Sequence, residues 1–195
     1  MDCDPLHLAA FTAHVRRLAP VSDGALTSLT RLMRPREFDA SAFLLEGGQR
    51  ASSCFYIVHG LARELYIDEQ GGEHTRSFIP AGQLTGSLLD LLSGEPSVTW
   101  VQSLEPTLAL AWPYAEFDAL CRESPELNML ARRAAEAVYV RKARREHQLL
   151  ALSAAERYAR WHAEHAALDA RIPRRILASY LGITPEHLSR LRRSA

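Results

Sequence analysis

Between Pro35 and Trp112 the sequence consists of short strand-like runs that Gly and Pro interrupt at close intervals. The runs read SAFLLEGG, CFYIVHG, LARELYIDEQGG, HTRSFIPAG, VTWVQSLE and TLALAW. Runs of this length and spacing are typical of an all-β sandwich or barrel. In the segment DEQGGE, Gly71 and Gly72 can take positive φ, which predicts a hairpin turn. We therefore expect an antiparallel, jelly-roll-like barrel in this part of the chain.

Helical periodicity occupies the sequence on both sides of the barrel. Apolar spacing predicts helices over about residues 5–18 and 23–32, and helical spacing returns after Pro113. Ser124 can cap a helix that Pro125 begins, which predicts a long helix over about 125–150. The expected fold class is α+β, with a double-stranded β-barrel and flanking helices. We divide the chain into a barrel domain with flanking helices at 1–123, a long helix at 124–150 and a helical domain at 151–195.

One face of the long helix carries apolar residues at steps of three and four, with charged residues on its other faces. Such a seam suits pairing with a second copy of the chain, and packing against the barrel of its own chain is the alternative. We predict a homodimer. The predicted dimer seam consists of Leu127, Leu130, Ala134 and Val138.

The segment RRILASYLGITPEHLSRLRR has the pattern of a helix, a tight turn and a second helix. Ala178 is small where two helices must approach closely, and Gly182 supplies the turn four residues later. Thr184 can cap the second helix and Pro185 can begin it. A solvated αα-hairpin is the alternative, but the spacing and the forward Glu and Arg side chains favour a DNA-binding helix-turn-helix.

The polar face of the second helix has the chemistry of base recognition. Arg can pair with guanine and Glu can accept from cytosine in the major groove, while further arginines hold phosphates. The predicted base contacts are Glu186, His187, Ser189 and Arg190. The predicted phosphate contacts are Arg174, Arg175, Thr184, Arg192 and Arg193. The expected partner is double-stranded DNA with an inverted-repeat operator.

The formal net charge is zero, with 23 basic and 23 acidic residues, but the charges are segregated along the chain. Residues 1–130 contain 9 basic and 17 acidic side chains, whereas residues 131–195 contain 14 basic and 6 acidic ones. Such asymmetry is typical of a chain whose basic part binds a polyanion. From Leu150 onward there are 8 basic and 4 acidic residues, so half of the basic excess lies on the long helix.

Several function classes lack their sequence signals. No apolar run approaches the roughly 20 residues that span a bilayer, and the N-terminus lacks a secretory charge pattern, so we expect a cytoplasmic protein. Cys3, Cys54 and Cys121 share no CxxC spacing, which argues against a disulfide framework or a zinc site. A cupin-like metal enzyme would need more barrel histidines than His59 and His74. We predict that the chain is not an enzyme.

With a barrel, a long helix and a terminal helix-turn-helix in this order, the chain resembles the CRP/FNR family of bacterial transcription regulators. Gly60 and Gly82 follow the order of glycines in that family's cyclic-nucleotide-binding-like domain. Glu186, Ser189 and Arg190 match the E-x-x-S-R arrangement of the oxygen-responsive branch, which implies operator half-sites with a TGA-like core. The resemblance implies a dimeric regulator whose long helix couples the barrels to the DNA-reading helices, with RNA polymerase as a further candidate partner.

The effector pocket departs from the family's pattern. Cyclic-nucleotide-binding members hold the ribose with the Glu of G-E-(L/I) and the cyclic phosphate with the Arg of R-(S/T)-A, and both anchors are absent here. The corresponding pocket residues are Gly86, Ser87, Leu88, Ser97, Val98 and Thr99. A buried phosphate without a cation would lack charge-assisted hydrogen bonds, so we expect no cAMP binding. An unidentified small polar ligand and an empty pocket remain the two alternatives.

Other features of the family also differ. The cysteines that hold the iron–sulfur cluster of the oxygen-responsive branch are missing, and we expect neither that cluster nor haem. The sequence ends two residues after Arg193, where many members continue into a β-wing that contacts the DNA backbone, so we expect fewer phosphate contacts. The alternative function is a protein-interaction or regulatory module that kept the fold and lost DNA binding.

Overall fold

The computed structural model describes residues 3–194, with side chains through Arg193. Helices flank the strand-rich region on both sides, as the periodicity predicts, and several of them begin at a side-chain cap. Ser124 accepts a hydrogen bond from the Leu127 N–H at the start of the long helix, and Pro125 occupies its first turn. The helices are Pro5–Leu18 (α1), Asp23–Arg31 (α2), Leu88–Ser93 (α3), Tyr114–Glu123 (α4), Pro125–Ala151 (α5), Ala154–Asp169 (α6), Arg174–Leu181 (α7) and Pro185–Ser194 (α8).

The strands of the described residues form two antiparallel four-stranded sheets, which confirms the predicted α+β fold with a double-stranded barrel. One sheet has the strand order β1-β8-β3-β6 and the other has the order β2-β7-β4-β5, so β5 lies at a sheet edge. The strands are Arg34–Phe38 (β1), Phe43–Leu45 (β2), Ser53–His59 (β3), Leu61–Ile67 (β4), Glu73–Pro80 (β5), Leu84–Thr85 (β6), Trp100–Ser103 (β7) and Thr107–Pro113 (β8). Gly71, at φ +80°, lies in the β4–β5 hairpin turn as predicted.

The hydrophobic core has three parts. One packs the helices α1, α2 and α4 and the start of α5 against the barrel, around the fully buried Phe11. The second fills the space between the two sheets, around Ile57. The third joins α6, α7 and α8 to the barrel, because Leu61 of β4 is completely buried in the same cluster as Trp161. The C-terminal helices are therefore packed against the barrel and share apolar core with it.

The first turns of α5 are part of the protein's own core. Leu127 and Leu130 are 1% and 4% exposed and lie in the cluster that contains α1 and α4. They cannot contact a second chain in this arrangement, so the predicted dimer seam is wrong at these two positions. Ala134 and Val138, farther along the same face, are half-buried and line a groove between α5 and the barrel. The apolar periodicity marks the side of α5 that faces its own chain, which is the alternative that the sequence leaves open.

Helix α6 has a strong start and an irregular end. Ser153 and Glu156 form a reciprocal capping box, in which each side chain accepts from the other's backbone N–H. His165 departs from helical geometry, with φ −137° and ψ 28°, and its ring stacks on Trp161 at 4.4 Å between centroids. The sequence periodicity does not predict this kink. No helix within residues 3–194 is long and apolar enough to cross a membrane.

Candidate functional site

The segment after Pro173 folds as the predicted helix, turn and helix. Gly182 ends α7 with φ +67°, a left-handed conformation that an L side chain rarely adopts. The Thr184 hydroxyl accepts a hydrogen bond from the His187 N–H at 3.2 Å, so Thr184 caps α8 as its sequence position predicts. Leu177 and Leu188 are fully buried between the two helices. These contacts fix the direction in which α8 presents its outer face.

The outer face of α8 carries the residues that the sequence assigns to base recognition. Glu186 and Arg190 are exposed, whereas His187 and Ser189 are half-buried. The Ser189 hydroxyl donates to the Pro185 carbonyl at 2.9 Å within its own helix. Hydrogen bonds from its own backbone N–H and from Thr184, together with the charge of Arg190, lower the pKa of Glu186. A carboxylate and a guanidinium therefore stand side by side on an accessible helix face, and the base-contact assignments stay a prediction.

The predicted phosphate contacts fall into different environments. Arg174 and Arg193 are exposed near the two ends of the helix pair. Arg175 lies 3.6 Å from Glu73 of the barrel, with 71% of its side chain exposed. Arg192 instead forms an ion pair with Asp169 at 2.7 Å and is three-quarters buried. We therefore correct the assignment of Arg192, because this contact ties α8 to the end of α6 and gives the side chain a structural role.

The pocket loop has the conformation expected of a tight binding loop. Gly86 has φ +133°, and a Cβ there would lie 2.7 Å from the Ser53 carbonyl oxygen. Ser87 also has positive φ and donates to Thr99 Oγ1 at 3.1 Å. The Ser97 hydroxyl donates to the buried Asp90 carboxylate. The predicted pocket residues thus lie close together, and the side chain of Val98 points outward, with 54% of its surface exposed.

A buried carboxylate accepts hydrogen bonds from the hydroxyl groups of this loop. Burial by itself raises the pKa of Asp90, but hydrogen bonds from Ser87, Ser97 and Thr99 outweigh it and hold the pKa below its usual value. Asp90 is therefore an anion, and it already binds the hydroxyl groups that a ligand would need as hydrogen-bond donors. The sequence interpretation missed this role, although an acidic residue inside the run LLDLLS is the kind of signal that could have indicated it.

A charged pair, Glu64 and Arg76, occupies the wall of the pocket. The register places Glu64 opposite Ser77 and Leu65 opposite Thr75, so Arg76 is the additional residue of a β-bulge in β5. Arg76 Nε lies 3.4 Å from Glu64 Oε2, and its Nη1 donates to the Tyr66 hydroxyl at 2.8 Å. Thr85 donates to the other Glu64 oxygen at 2.8 Å. The pocket wall therefore contains a cation, Arg76, which is already paired with Glu64.

Helix α5 closes one side of a groove of about 1540 Å³ in front of this pair. Lys142 lines the groove, and partial desolvation, followed by the charge of Arg76, lowers the pKa of its amino group. Within residues 3–194, no three His, Cys, Asp or Glu side chains come together as metal ligands would. On its barrel side the groove is lined by apolar side chains together with the ion-paired Glu64 and Arg76.

Residues 35–124 match the protein family described as "Cyclic nucleotide-binding domain". The cAMP-activated global transcriptional regulator CRP of Salmonella typhimurium is 24% identical over 110 residues, which are 56% of this chain and 52% of that protein. The fumarate and nitrate reduction regulatory protein of Vibrio cholerae is 27% identical over 108 residues, which are 55% of this chain and 42% of that protein. The chain thus spans about half the length of the curated relatives it matches.

Solved structures extend the similarity beyond this domain. FixK2 from Bradyrhizobium japonicum superposes with a TM-score of 0.73 at 17% identity, covering 83% of each chain. The c-di-GMP responsive global regulator CLP of Xanthomonas campestris gives 0.72 at 14% identity, covering 89% of this chain and 91% of that one. At these identities the similarity establishes the fold. Residues 35–124, just under half of the chain, therefore match the cyclic nucleotide-binding domain family, and the chain is similar in sequence to the CRP and FNR regulators and has the fold of FixK2 and CLP.

Proposed function

We propose that this chain is a dimeric, DNA-binding transcription regulator of the CRP/FNR type whose pocket does not bind cAMP. The observation that carries the proposal is the outer face of α8, where Glu186 and Arg190 stand exposed on a helix fixed by Gly182 and Thr184. A rigid helix with these side chains forward suits the major groove. The division into residues 1–123, 124–150 and 151–195 is part of the same proposal.

Selection from a randomised DNA pool tests the DNA-binding function. We expect enrichment of an inverted repeat with half-sites about one helical turn apart, because two recognition helices of a dimer are separated by that distance. Arg190→Ala should weaken binding to the selected operator by roughly 1–3 kcal/mol and relax the preference at one base pair. Arg160→Ala is the matched control, since Arg160 is an exposed arginine of α6 outside the recognition helix.

Two outcomes of this experiment would contradict the proposal. Without an enriched repeat, the chain is better described as a protein-interaction or regulatory module that kept the fold and lost DNA binding. Equal effects of Arg190→Ala and Arg160→Ala would mean that α8 attracts DNA only by charge and reads no base.

The dimer proposed here uses a different face of α5 from the seam predicted from the sequence. Met129 and Val140, about three helical turns apart, are 39% and 44% exposed on the side away from the buried leucines. Near the end of the helix Leu150 is 81% exposed. Exposed apolar side chains on this face, with the charged Arg133 and Glu136 between Met129 and Val140, support pairing with the same face of a second copy.

Titration with cAMP tests the pocket part of the proposal. Arg76, which reaches Thr99 of the pocket, is already paired with Glu64, and Asp90 accepts the hydrogen bonds of the pocket hydroxyls, so both features oppose binding of a cyclic phosphate. A ligand at 100 times its Kd would stabilise the folded state by about 2.7 kcal/mol, which a thermal shift detects. We expect millimolar cAMP to leave the melting temperature unchanged. A saturable rise would contradict this part and leave DNA binding untouched.

A further inference from the structure

The helix-turn-helix is held on the edge strand of the barrel. Ser179 of α7 inserts its hydroxyl between two backbone groups of β5. It accepts from the Thr75 N–H at 2.9 Å and donates to the Glu73 carbonyl at 2.8 Å. One side chain thereby satisfies groups that an adjacent strand would otherwise pair. Phe78 of β5 extends the contact, with its ring 5.1 Å from that of Tyr180 in α7.

Two ion pairs join the same surfaces. Arg171 binds Glu105 with two donors, Nε at 3.2 Å from Oε2 and Nη2 at 2.5 Å from Oε1, and Nη2 also lies 3.3 Å from the Gly60 carbonyl. Arg175 lies 3.6 Å from Glu73, a carboxylate that also binds the buried Arg63 at 2.7 Å. The Arg171 pair is bidentate and half-shielded, so it is the stronger of the two contacts.

Both arginines lie at the N-terminal end of α7, next to the exposed Arg174. This end carries the positive pole of the helix and is where a phosphate is expected. A guanidinium that is engaged by a carboxylate offers fewer donors to a phosphate, and the carboxylate itself repels the phosphate. The contacts that hold α7 on the barrel therefore oppose binding of DNA at the same end of α7.

We propose that Glu73 and Glu105 compete with DNA phosphates for Arg175 and Arg171, so that the arrangement with α7 docked on β5 is autoinhibited. The inference rests on the DNA-binding function proposed above. The proposal gives the barrel a regulatory role that requires no ligand. Two barrel carboxylates form ion pairs with two of the 8 arginines that follow Leu150. The proposal also adds a second link between barrel and helix-turn-helix, parallel to α5.

The docking contact is tested without DNA, by hydrogen exchange at the Thr75 amide measured by NMR. In Ser179→Ala the amide loses its acceptor, and we expect it to exchange at least several-fold faster than in the unmodified protein. Ser189→Ala is the control, since that hydroxyl donates to the Pro185 carbonyl inside α8. Unchanged protection of Thr75 in Ser179→Ala would overturn the docking contact.

The competition is tested by fluorescence anisotropy with a labelled duplex of random sequence over a series of salt concentrations. The slope of log K against log salt steepens by about 0.9 for each phosphate that a protein neutralises. Glu105→Gln should steepen the slope by about 0.9, because the released Arg171 then binds one additional phosphate. The same change should tighten binding at low salt. Glu73→Gln should act in the same direction through Arg175. Glu95→Gln, at an exposed barrel residue, is the control for the same change in net charge.

The outcomes separate the two proposals. Equal slopes for Glu105→Gln, Glu95→Gln and the unmodified protein, with measurable binding by all three, would overturn the autoinhibition and leave the DNA-binding function standing. Absence of binding by all three at every salt concentration would contradict both. A steeper slope confined to the Glu105 and Glu73 variants supports the competition.

Discussion

The backbone at Gly86 shapes the pocket loop at the scale of a single residue. Its φ of +133° belongs to a region that glycine alone enters readily, and the Ser53 carbonyl oxygen approaches within 2.7 Å of the place of a Cβ. The chain therefore needs glycine here for two independent reasons. The loop passes directly against β3, and this close approach brings Ser87 next to Thr99.

We predict that Gly86→Ala destabilises the protein. Strain and the clash with backbone together should lower the free energy of unfolding by about 1–3 kcal/mol or more, measured by urea denaturation. Gly24→Ala is the control, because Gly24 lies in α2 and no atom comes within 4 Å of the place that its Cβ would take. That change should be neutral or stabilising by up to about 1 kcal/mol. Equal stabilities of the two variants would contradict the account of the loop.

Asp90 provides a prediction about pH. Hydrogen bonds from the pocket hydroxyls hold its pKa in the folded state below the ordinary value of 3.8. A lowered folded pKa contributes stability that is present above the unfolded pKa and is lost as the pH falls through the folded pKa. The unfolding free energy of the unmodified protein should therefore exceed that of Asp90→Asn at neutral pH, and the difference should shrink below about pH 4. A difference that stays constant from neutral to acid pH would contradict the role of the carboxylate.

Two arginines show which residue roles a sequence can reveal. The sequence shows that the loop at Ser97–Thr99 itself contains no cation. Arg76, however, reaches the Thr99 hydroxyl from β5, with Nη1 at 3.5 Å. Its direction depends on a bulge, which glycine spacing does not reveal. The sequence neighbours of Arg192 suggest a phosphate contact, whereas its ion pair with Asp169 requires the fold of α6 against α8. Tertiary contacts therefore decide both roles.

Helix α5 shows the same limit at the scale of an element. Its start was predictable, because Ser124 and Pro125 act within one turn. The partner of its apolar face was not predictable, because periodicity identifies a buried face without stating what buries it. Leu127 and Leu130 face α1 and α4, which leaves the opposite face with Met129 and Val140 exposed.

We predict opposite consequences for substitutions on the two faces of α5. Leu130→Ala should lower the free energy of unfolding by about 2–5 kcal/mol, because it leaves a cavity in the core. Val140→Glu should change that free energy by less than about 0.5 kcal/mol at protein concentrations where only monomer is present. In sedimentation velocity, however, Val140→Glu should be monomeric at concentrations where the unmodified protein is dimeric. Dimerisation that survives Val140→Glu unchanged would contradict the proposed face.

The segregation of charge acquires a structural meaning at the scale of the whole molecule. The acidic barrel and the basic C-terminal segment meet through Arg171–Glu105 and Arg175–Glu73, so part of the basic excess is neutralised inside the chain. Arg145 of α5 stacks on Tyr180, 3.9 Å from the ring, and binds the Tyr180 carbonyl. Part of the charge asymmetry between the two parts is therefore compensated by ion pairs inside the chain.

The shared core predicts how the whole molecule unfolds. Leu61 of the barrel is completely buried among residues of α6, α7 and α8, and the ring of Phe78 lies 5.2 Å from that of Trp161. Separating the two parts would expose this apolar surface, so the helix-turn-helix should not unfold before the barrel. We expect coincident thermal transitions by far-ultraviolet circular dichroism and tryptophan fluorescence, with equal calorimetric and van't Hoff enthalpies. Phe78→Ala removes the ring between the two parts and should separate the transitions, with the helical part melting first. Two transitions in the unmodified protein would show instead that the contacts between barrel and helix-turn-helix are too weak to couple them.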